Sequence, residues 1–301
     1  MNMMKLNGTF DAIDPFLDAV AHWQQDYLKL DDAPFSAEFT QYVSSDFHVG
    51  RVQLTGHILQ MGSPIPGAMS LALYDEDLPD TFIRDRELTG DAFGLADEGE
   101  QGALYFRERA DMIIFTVPIA AVHDFFKKDV SPYQLHFSAE NRKRAFRELV
   151  REMKDFSNQP AQNVRELCIQ KVFGSMTIKE TWDHTNSEWS YHHDMVLKFI
   201  GGARETTKGL SALIDELQLN RRRLTSHVQQ AFGLTLVRFL KVIRMNRARR
   251  LIHEKGAEEI ISEIAQDAGL SHAGRFSREF ADIFDEAPSD ARNRAKRRLK
   301  T

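Results

Sequence analysis

The sequence predicts a mixed fold in two parts, an N-terminal α+β part with an antiparallel sheet and flanking helices, and a C-terminal all-α part. Three observations predict it. Strand-like segments separated by Pro- and Gly-containing turns dominate the region before residue 138, a polar stretch follows residue 182, and every later segment has helical periodicity. With 301 residues, the chain is long enough for two domains, each with its own core.

The charge is divided between the two parts. Residues 203–301 contain 20 Lys and Arg against 13 Asp and Glu, a net charge of +7, whereas the remaining 202 residues carry −12. The net charge of −5 for the whole chain conceals this asymmetry. It predicts a basic module that faces a polyanion and an acidic module with another role.

Composition argues against several classes of protein. The N-terminus lacks the apolar run of a signal peptide, and no segment reaches the roughly 18 apolar residues of a membrane span, so we expect a cytoplasmic protein that does not insert into membranes. Cys168 is the single cysteine, which permits neither an internal disulfide nor a thiolate metal cage. Without a cupin-type His-x-His pattern, a phosphate-binding loop or a glycine-flanked serine, we expect no catalytic residue, metal or cofactor.

Hydrophobic periodicity divides the N-terminal part into a sheet and helices. Residues 15–29 have apolar side chains at helical spacing, which predicts an amphipathic helix. RVQLTGHI (51–58), SLALY (70–74) and MIIFTVP (112–118) have the character of strands. They predict a small antiparallel sheet, cupin-like or barrel-like in form, within residues 35–137.

The helices expected over 139–182 complete the predicted N-terminal domain, residues 1–182. Their apolar faces could cover the sheet or form a dimer interface, and the sequence does not separate these alternatives. The polar stretch that follows predicts a linker over 183–189, so the second domain should span 190–301.

A first helix-turn-helix unit is predicted over residues 210–233. Asn220 is a suitable N-cap for its second helix, in which Leu224 and Val228 begin a buried stripe. A short helix with a polar outer face and arginines near its start is typical of a DNA recognition helix. The candidate DNA-binding residues of this helix are Arg221, Arg222, Arg223 and Ser226.

A second unit of the same kind is predicted over residues 260–284. Ser271 is its expected N-cap, and Arg275 and Arg278 project opposite the apolar side of its second helix. His272 and Gly274 lie in the first turn and complete the candidate DNA-binding set. A glycine inside a helix costs roughly 1 kcal/mol against alanine. Either a packing compromise or a close approach to DNA would explain Gly274.

The helix predicted between the units, over residues 235–256, is long enough to place two recognition helices on one DNA duplex. About 20 residues at 1.5 Å each give a rod of roughly 30 Å. B-DNA presents the same face again after about 34 Å. Two recognition helices on this spacer could therefore enter successive major-groove segments.

Residues 190–294 resemble the DNA-binding domain of AraC/XylS-type transcriptional regulators. The resemblance is carried by IRMNRARRLI (243–252), SEIAQDAGLSHAGRFSREF (262–280) and Pro288. It implies a seven-helix domain that grips the major groove with both recognition helices. It also implies an activator that recruits RNA polymerase, with an N-terminal domain that senses a small-molecule effector or mediates self-association.

The chain departs from the usual family pattern at four positions. Ser226 stands where an arginine is common, Asp285 where a glycine is typical, and Val228 and Ala291 where aromatic residues are usual. Further upstream, HWQQDYLKL (22–30) and FSAEFTQ (35–41) resemble, faintly, the sensor domains of ethanolamine-operon regulators. That likeness names no effector and no effector-binding residue.

The sequence therefore predicts an effector-responsive, sequence-specific activator that binds double-stranded promoter DNA, and a homodimer is possible. The alternatives are a repressor or a nonspecific architectural DNA binder, for which the basic segment ARNRAKRRLK (291–300) offers phosphate contacts. A metal-dependent enzyme is a more distant alternative.

Overall fold

The structure is a computed structural model of the 301-residue chain. It describes residues 3–20, 25–45, 47–83, 86–88, 94–96, 102–130, 134–179, 187–255, 259–270 and 273–298. The chain divides into two compact units. The first unit comprises Met1–Tyr27 and Pro34–Thr185, and the second comprises Leu28–Ala33 and Asn186–Thr301.

The framework of the first unit consists of antiparallel β-sheet. In chain order, the strands are β1 (Met4–Phe10), β2 (Asp26–Lys29), β3 (Ser36–Val43), β4 (His48–Thr55), β5 (Ile58–Gly62), β6 (Ala68–Leu73), β7 (Leu78–Ile83), β8 (Arg86–Leu88), β9 (Gly94–Ala96), β10 (Gly102–Phe106), β11 (Arg109–Pro118), β12 (Leu135–His136) and β13 (Thr177–Ile178). One sheet has the order β1-β3-β4-β11-β6-β9, a second has the order β2-β5-β10-β7-β8, and β12 pairs with β13.

Strand β11 lies inside the six-stranded sheet, between β4 and β6. It contains the apolar run MIIFTVP, and residues 112–117 are buried in succession, because both faces of the strand are covered. On one face, Phe115 contributes to a core with Val49 of β4 and Leu71 of β6. This strand is therefore core, as its apolar composition alone indicates.

Helices cover that face of the sheet. They are α2 (Ile119–Phe126), α3 (Ala139–Glu152) and α4 (Ala161–Phe173), with a 3-10 helix at Met153–Asn158. Helix α1 (Ile13–Ala19) packs instead against β1 and β3, where Phe16 contacts Phe39 on the opposite face. Ser138 caps α3, because its side-chain oxygen accepts a hydrogen bond from the backbone N–H of Asn141 at 3.3 Å. Phe146 of α3 and Phe173 of α4 belong to the same core as Phe115. The helices thus bury the apolar face that the sheet presents.

Three expectations for the first unit need correction. The helix expected over 15–29 ends at Ala19, and residues 26–29 form the edge strand β2, because pairing with β5 satisfies the backbone groups on one side of it. For the same reason the sheet is not confined to 35–137: β1 pairs with β3 from residue 4 onward. The segment 51–58 is not one strand, since Gly56 adopts a φ of +122° between β4 and β5.

The described part of the second unit contains seven helices. They are α5 (Ser187–Glu205), α6 (Leu210–Glu216), α7 (Arg221–Phe232), α8 (Leu236–Lys255), α9 (Ile261–Asp267), α10 (Ala273–Phe284) and α11 (Pro288–Arg298). Of the predicted linker, residues 187–189 open α5, whereas 183–186 lie outside the described residues. A polar composition is typical of a linker and equally of the first turn of a helix. Composition alone therefore does not distinguish a linker from a helix start.

The helix that joins the two helix-turn-helix units is the centre of the second unit. Helix α8 packs against α5, α7, α9 and α11. Side chains are buried on all its sides, among them Phe239, Leu240, Met245 and Ile252. Its 20 residues correspond to a length of about 30 Å. The two-part fold, with an antiparallel sheet followed by two helix-turn-helix units on a connecting helix, is confirmed.

Among the described residues, none of the helices has the length and apolar character needed to cross a bilayer.

Candidate nucleic-acid interface

The first recognition helix, α7, is delimited by local hydrogen bonding and backbone geometry. Asn220 occupies its N-cap with an extended backbone, and its side-chain oxygen accepts a hydrogen bond from Arg223 N at 3.0 Å. At the other end, Gly233 takes the left-handed conformation with a φ of +66°. The sequence signals for both ends therefore correspond to the observed geometry.

Helix α7 has one buried and one exposed face. Leu224, Val228 and Phe232 are buried, and His227 lies with them at 4% exposure. The candidate DNA-binding residues of this helix are all exposed, Arg221 at its first position and the others on the face away from the apolar stripe: Arg222, Arg223 and Ser226. Three guanidinium groups in the first turn of one helix form a basic surface. Their N–H groups can donate hydrogen bonds to phosphate oxygens and to the acceptor atoms of guanine.

The second recognition helix, α10, repeats this arrangement. Phe276, Phe280 and Phe284 are buried, and adjacent rings of this stripe lie 5.5 and 4.6 Å apart. Arg275 and Arg278 are exposed on the other side. The Arg275 Nε lies 3.8 Å from the Glu279 carboxylate and its side chain is 72% exposed, so this weak pair leaves the guanidinium accessible. The expected N-cap Ser271 and the candidate His272 lie outside the described residues.

Gly274 lies on the exposed surface of α10. Among the described residues, a Cβ built on this residue would meet no atom within 4 Å. Close packing against the rest of the domain therefore does not account for a glycine here. Of the two explanations that the sequence leaves open, the approach of an external molecule to the helix backbone is the one that the geometry permits.

Arg244 of α8 organises both helix-turn-helix units, a role that the sequence did not reveal. Its side chain is 9% exposed, and Nη1 donates to the Gly269 carbonyl at 3.2 Å in the turn before α10. Nη2 donates to the Lys208 carbonyl, just before α6. Burial, followed by the nearby charge of Arg247, lowers the pKa of Arg244 from its ordinary value. A Cβ at Gly269, where φ is +80°, would approach Arg244 Nε to 2.9 Å, so the glycine also makes room for the guanidinium.

Two further arginines of α8 contact the protein itself. Arg247 Nη1 donates to the Thr206 carbonyl at 3.3 Å. Arg249 is 5% exposed, and its guanidinium lies 5.3 Å from the centre of the Phe284 ring. The sequence does not distinguish them from Arg250 of the same helix, which is exposed.

The potentially reactive side chains of the first unit include Cys168 and His57. Cys168 is fully buried, and burial raises the pKa of its thiol, which disfavours the reactive thiolate. His57 contacts the Tyr105 hydroxyl, to which Arg107 donates at 3.2 Å. Across the described residues, no three His, Cys, Asp or Glu side chains are grouped as a metal site would require.

Gln41 of β3 is the most unusual polar side chain of the first unit. It is fully buried, yet neither its amide nitrogen nor its oxygen has a hydrogen-bond partner among the described residues. It lies over Gly50 of β4, where a Cβ would come within 2.4 Å of Gln41 Cγ. The sequence contains no signal for it, because a single polar residue in a strand is usually solvent-facing.

Comparison with known proteins defines the class of the second unit. Residues 213–294 match the model of a helix-turn-helix domain family. The chain is 41% identical over 70 residues to the probable thc operon regulatory protein of Rhodococcus erythropolis, a match that covers 23% of this chain and 21% of that protein. It is 33% identical over 83 residues to the transcriptional activator RhaS of Pectobacterium atrosepticum, which covers 28% and 29% respectively. The chain thus matches well under a third of the length of these relatives.

Among solved structures, the AraC-like transcriptional activator CuxR aligns with 87% of this chain and 99% of its own, at 12% identity and a TM-score of 0.35. The helix-turn-helix family model matches the part of the second unit that runs from α6 to α11. The relatives that match this region are described as an operon regulatory protein and a transcriptional activator.

Proposed function

We propose that the protein is a cytoplasmic, sequence-specific DNA-binding transcriptional regulator, and that it acts as an activator rather than an enzyme. The observation that carries this proposal is the repeated arrangement of α7 and α10. Each buries an apolar stripe and exposes arginines in or near its first turns. The net charge of +7 in residues 203–301 favours a polyanionic partner.

In this proposal, Arg222 and Arg278 read base edges, each from its own recognition helix. An exposed guanidinium can donate two parallel hydrogen bonds to guanine O6 and N7. Arg221, Arg223 and Arg275 contact phosphates or bases close by, with Ser226 and His272 as further contacts. The two helices differ in sequence, so the bound site is asymmetric.

The first unit is proposed to sense a small-molecule effector and to mediate homodimerisation through surfaces other than the apolar faces of α3 and α4, which cover the sheet. RNA polymerase is the proposed partner in activation. The support is the AraC-type resemblance and the description of RhaS as an activator. A repressor would use the same DNA contacts, and a promoter–reporter fusion separates the two, since an activator raises transcription and a repressor lowers it.

The test is binding to DNA at a fixed salt concentration. Genome-wide mapping of bound sites supplies a candidate duplex, and its affinity is compared with that of a scrambled duplex of equal length. A specific regulator should prefer the mapped duplex at least 10³-fold. Equal affinities with a steep salt dependence would instead identify a nonspecific architectural binder.

Gln41 is the proposed contact for the effector, because its buried amide offers one donor pair and one acceptor to a polar ligand. Replacing Gln41 by Leu should raise the free energy of unfolding by about 1 kcal/mol, because an unsatisfied amide is removed. The matched variant Gln60→Leu should lower it, since Gln60 donates to Gln25 at 2.7 Å. A reporter that keeps its full response with Gln41→Leu would contradict the effector role.

A further inference from the structure

The DNA-binding unit is not continuous in sequence. Residues Leu28–Ala33, which we call the strap, belong to the second unit, although the chain on either side of them, up to Tyr27 and from Pro34, belongs to the first. The strap is therefore a six-residue part of the N-terminal half that is built into the same compact body as both recognition helices.

The strap is attached to α8 by the side chain of one residue, Asn246. Its Oδ1 accepts a hydrogen bond from Lys29 N at 3.1 Å, and its Nδ2 donates to the Lys29 carbonyl at 2.9 Å. Nδ2 also donates to the Val242 carbonyl at 2.9 Å. Asn246 is 4% exposed. The amide thus pairs with both backbone groups of Lys29, as a neighbouring strand would, and only a side chain with a donor and an acceptor can do this.

The side chain of Lys29 extends from this attachment to the end of the second recognition helix. It is 1% exposed, and its ammonium group donates to the carbonyl of Ile283 in the last turn of α10. The last carbonyls of a helix have no partner within the helix, and a cation at that end is electrostatically favourable. Lys29 therefore supplies the C-terminal cap of α10 from a distant part of the chain.

Asp285 explains why the cap carries a positive charge. It follows α10 with a φ of +58°, in the left-handed region that favours glycine. Its carboxylate lies 3.6 Å from the Lys29 ammonium. Burial lowers the pKa of Lys29, whereas the charges of Asp285 and Asp31 raise it. The ion pair holds a non-glycine residue in the turn that terminates the recognition helix.

We propose that Lys29 and Asn246 are positioning residues for DNA recognition by α10, and that the strap sets the orientation of this helix. The inference deepens the proposed function and rests on it. The chain on either side of the strap belongs to the proposed sensor unit. DNA binding through α10 therefore depends on a segment that is covalently continuous with the sensor unit.

The first experiment is hydrogen–deuterium exchange on the full chain without DNA. In Lys29→Met, peptides covering 28–33 and 281–286 should exchange at least tenfold faster, whereas peptides of α7 should be unchanged. The control, Lys198→Met, removes an exposed lysine of α5 in the same unit and should change neither. Equal exchange at 281–286 in Lys29→Met and the wild type would overturn the proposal.

The second experiment is footprinting on the mapped duplex, with Arg222→Ala and Arg278→Ala assigning the half-sites of α7 and α10. Lys29→Met should lose protection selectively at the half-site of α10, by at least fivefold in midpoint concentration. A merely structural loss would weaken both half-sites equally and would overturn the proposal. If the wild type shows no sequence preference, the proposed function fails, while the exchange result still decides the role of the strap.

Two more variants cover the case in which Lys29→Met does not fold. Asn246→Asp keeps the shape and the acceptor but loses both donors, and should loosen 28–33 and 281–286 alike. Asp285→Gly relieves the left-handed residue and removes the ion pair, so it should fold and exchange faster at 28–33. Unchanged exchange of the strap in both variants would contradict the proposal.

Discussion

The arginines of the second unit fall into two groups that differ in environment rather than in chemistry. On α7 and α10, Arg222 and Arg278 project from the exposed faces of short helices. On α8, Arg244 and Arg249 are 9% and 5% exposed. Arg244 donates to carbonyls of the protein, and Arg249 lies against a phenylalanine ring. A basic residue in a DNA-binding domain is therefore not by itself a DNA contact.

The difference shows how the domain separates support from recognition. The planar guanidinium satisfies several acceptors at once, so Arg244 can join the turn of one helix-turn-helix unit to the start of the other. The same group left in solvent keeps its donors available for DNA. Three substitutions test this separation, in decreasing order of expected effect.

Replacing Arg244 by Ala should have the largest effect, and it should act on stability. The carbonyls of Gly269 and Lys208 would lose a charged donor, which we expect to lower the free energy of unfolding by about 3 kcal/mol. Chemical denaturation of the full chain measures this. The matched control is Arg250→Ala. Arg250 is exposed, and the substitution removes only an ion pair with Glu254 at 3.8 Å, so the free energy of unfolding should fall by about 0.5 kcal/mol or less. Equal effects of the two substitutions would refute the structural role of Arg244.

Replacing Arg278 by Ala should leave stability almost unchanged and weaken DNA binding. A lost base contact costs about 1–3 kcal/mol, which corresponds to roughly 5- to 150-fold in affinity, concentrated at one base pair. Mobility shifts on duplexes with single base-pair changes measure both quantities. Arg278→Lys keeps the charge and loses the fork of donors, so it should bind with reduced preference at that base pair. An unchanged footprint and affinity for Arg278→Ala would remove it from the interface.

The smallest effect is expected for Gly274→Ala, and it should have opposite signs for stability and for binding. Alanine should stabilise α10 by about 1 kcal/mol. It should also weaken DNA binding, because the added methyl group obstructs an approach to the backbone. Gly201→Ala is the control, since a Cβ there also meets nothing within 4 Å and α5 should gain similar stability without a change in affinity. Unchanged DNA affinity in Gly274→Ala would show that nothing approaches this glycine closely.

Local signals predicted the recognition helices well. The N-cap at Asn220 and the left-handed Gly233 each depend on residues no more than four positions away. The local sequence is therefore enough to predict both ends of α7. The candidates Arg222, Arg223, Ser226, Gly274, Arg275 and Arg278 are all exposed because helical periodicity places them away from the apolar stripe. Arg221 is exposed because it is the first residue of α7. Their contacts with DNA remain a prediction.

Non-local pairing limited the prediction of the first unit. Residues 26–29 continue the apolar spacing of a helix but pair with β5 as a strand. The 51–58 segment alternates like a single strand, yet it turns at Gly56, whose N–H donates to the Glu108 carbonyl at 2.8 Å. Propensity is a weak prior that such tertiary contacts override.

By itself, the sequence determined the two-part fold, the ends of α7 and the outward face of each recognition helix, because helix periodicity and capping act over only a few residues. Only the tertiary structure decided which arginines are buried, and that Lys29 lies against Asn246, 217 positions away. The physical reason is that burial, ion pairing and the capping of α10 depend on residues that folding brings together. The separation of these residues along the chain does not indicate that they are close in space.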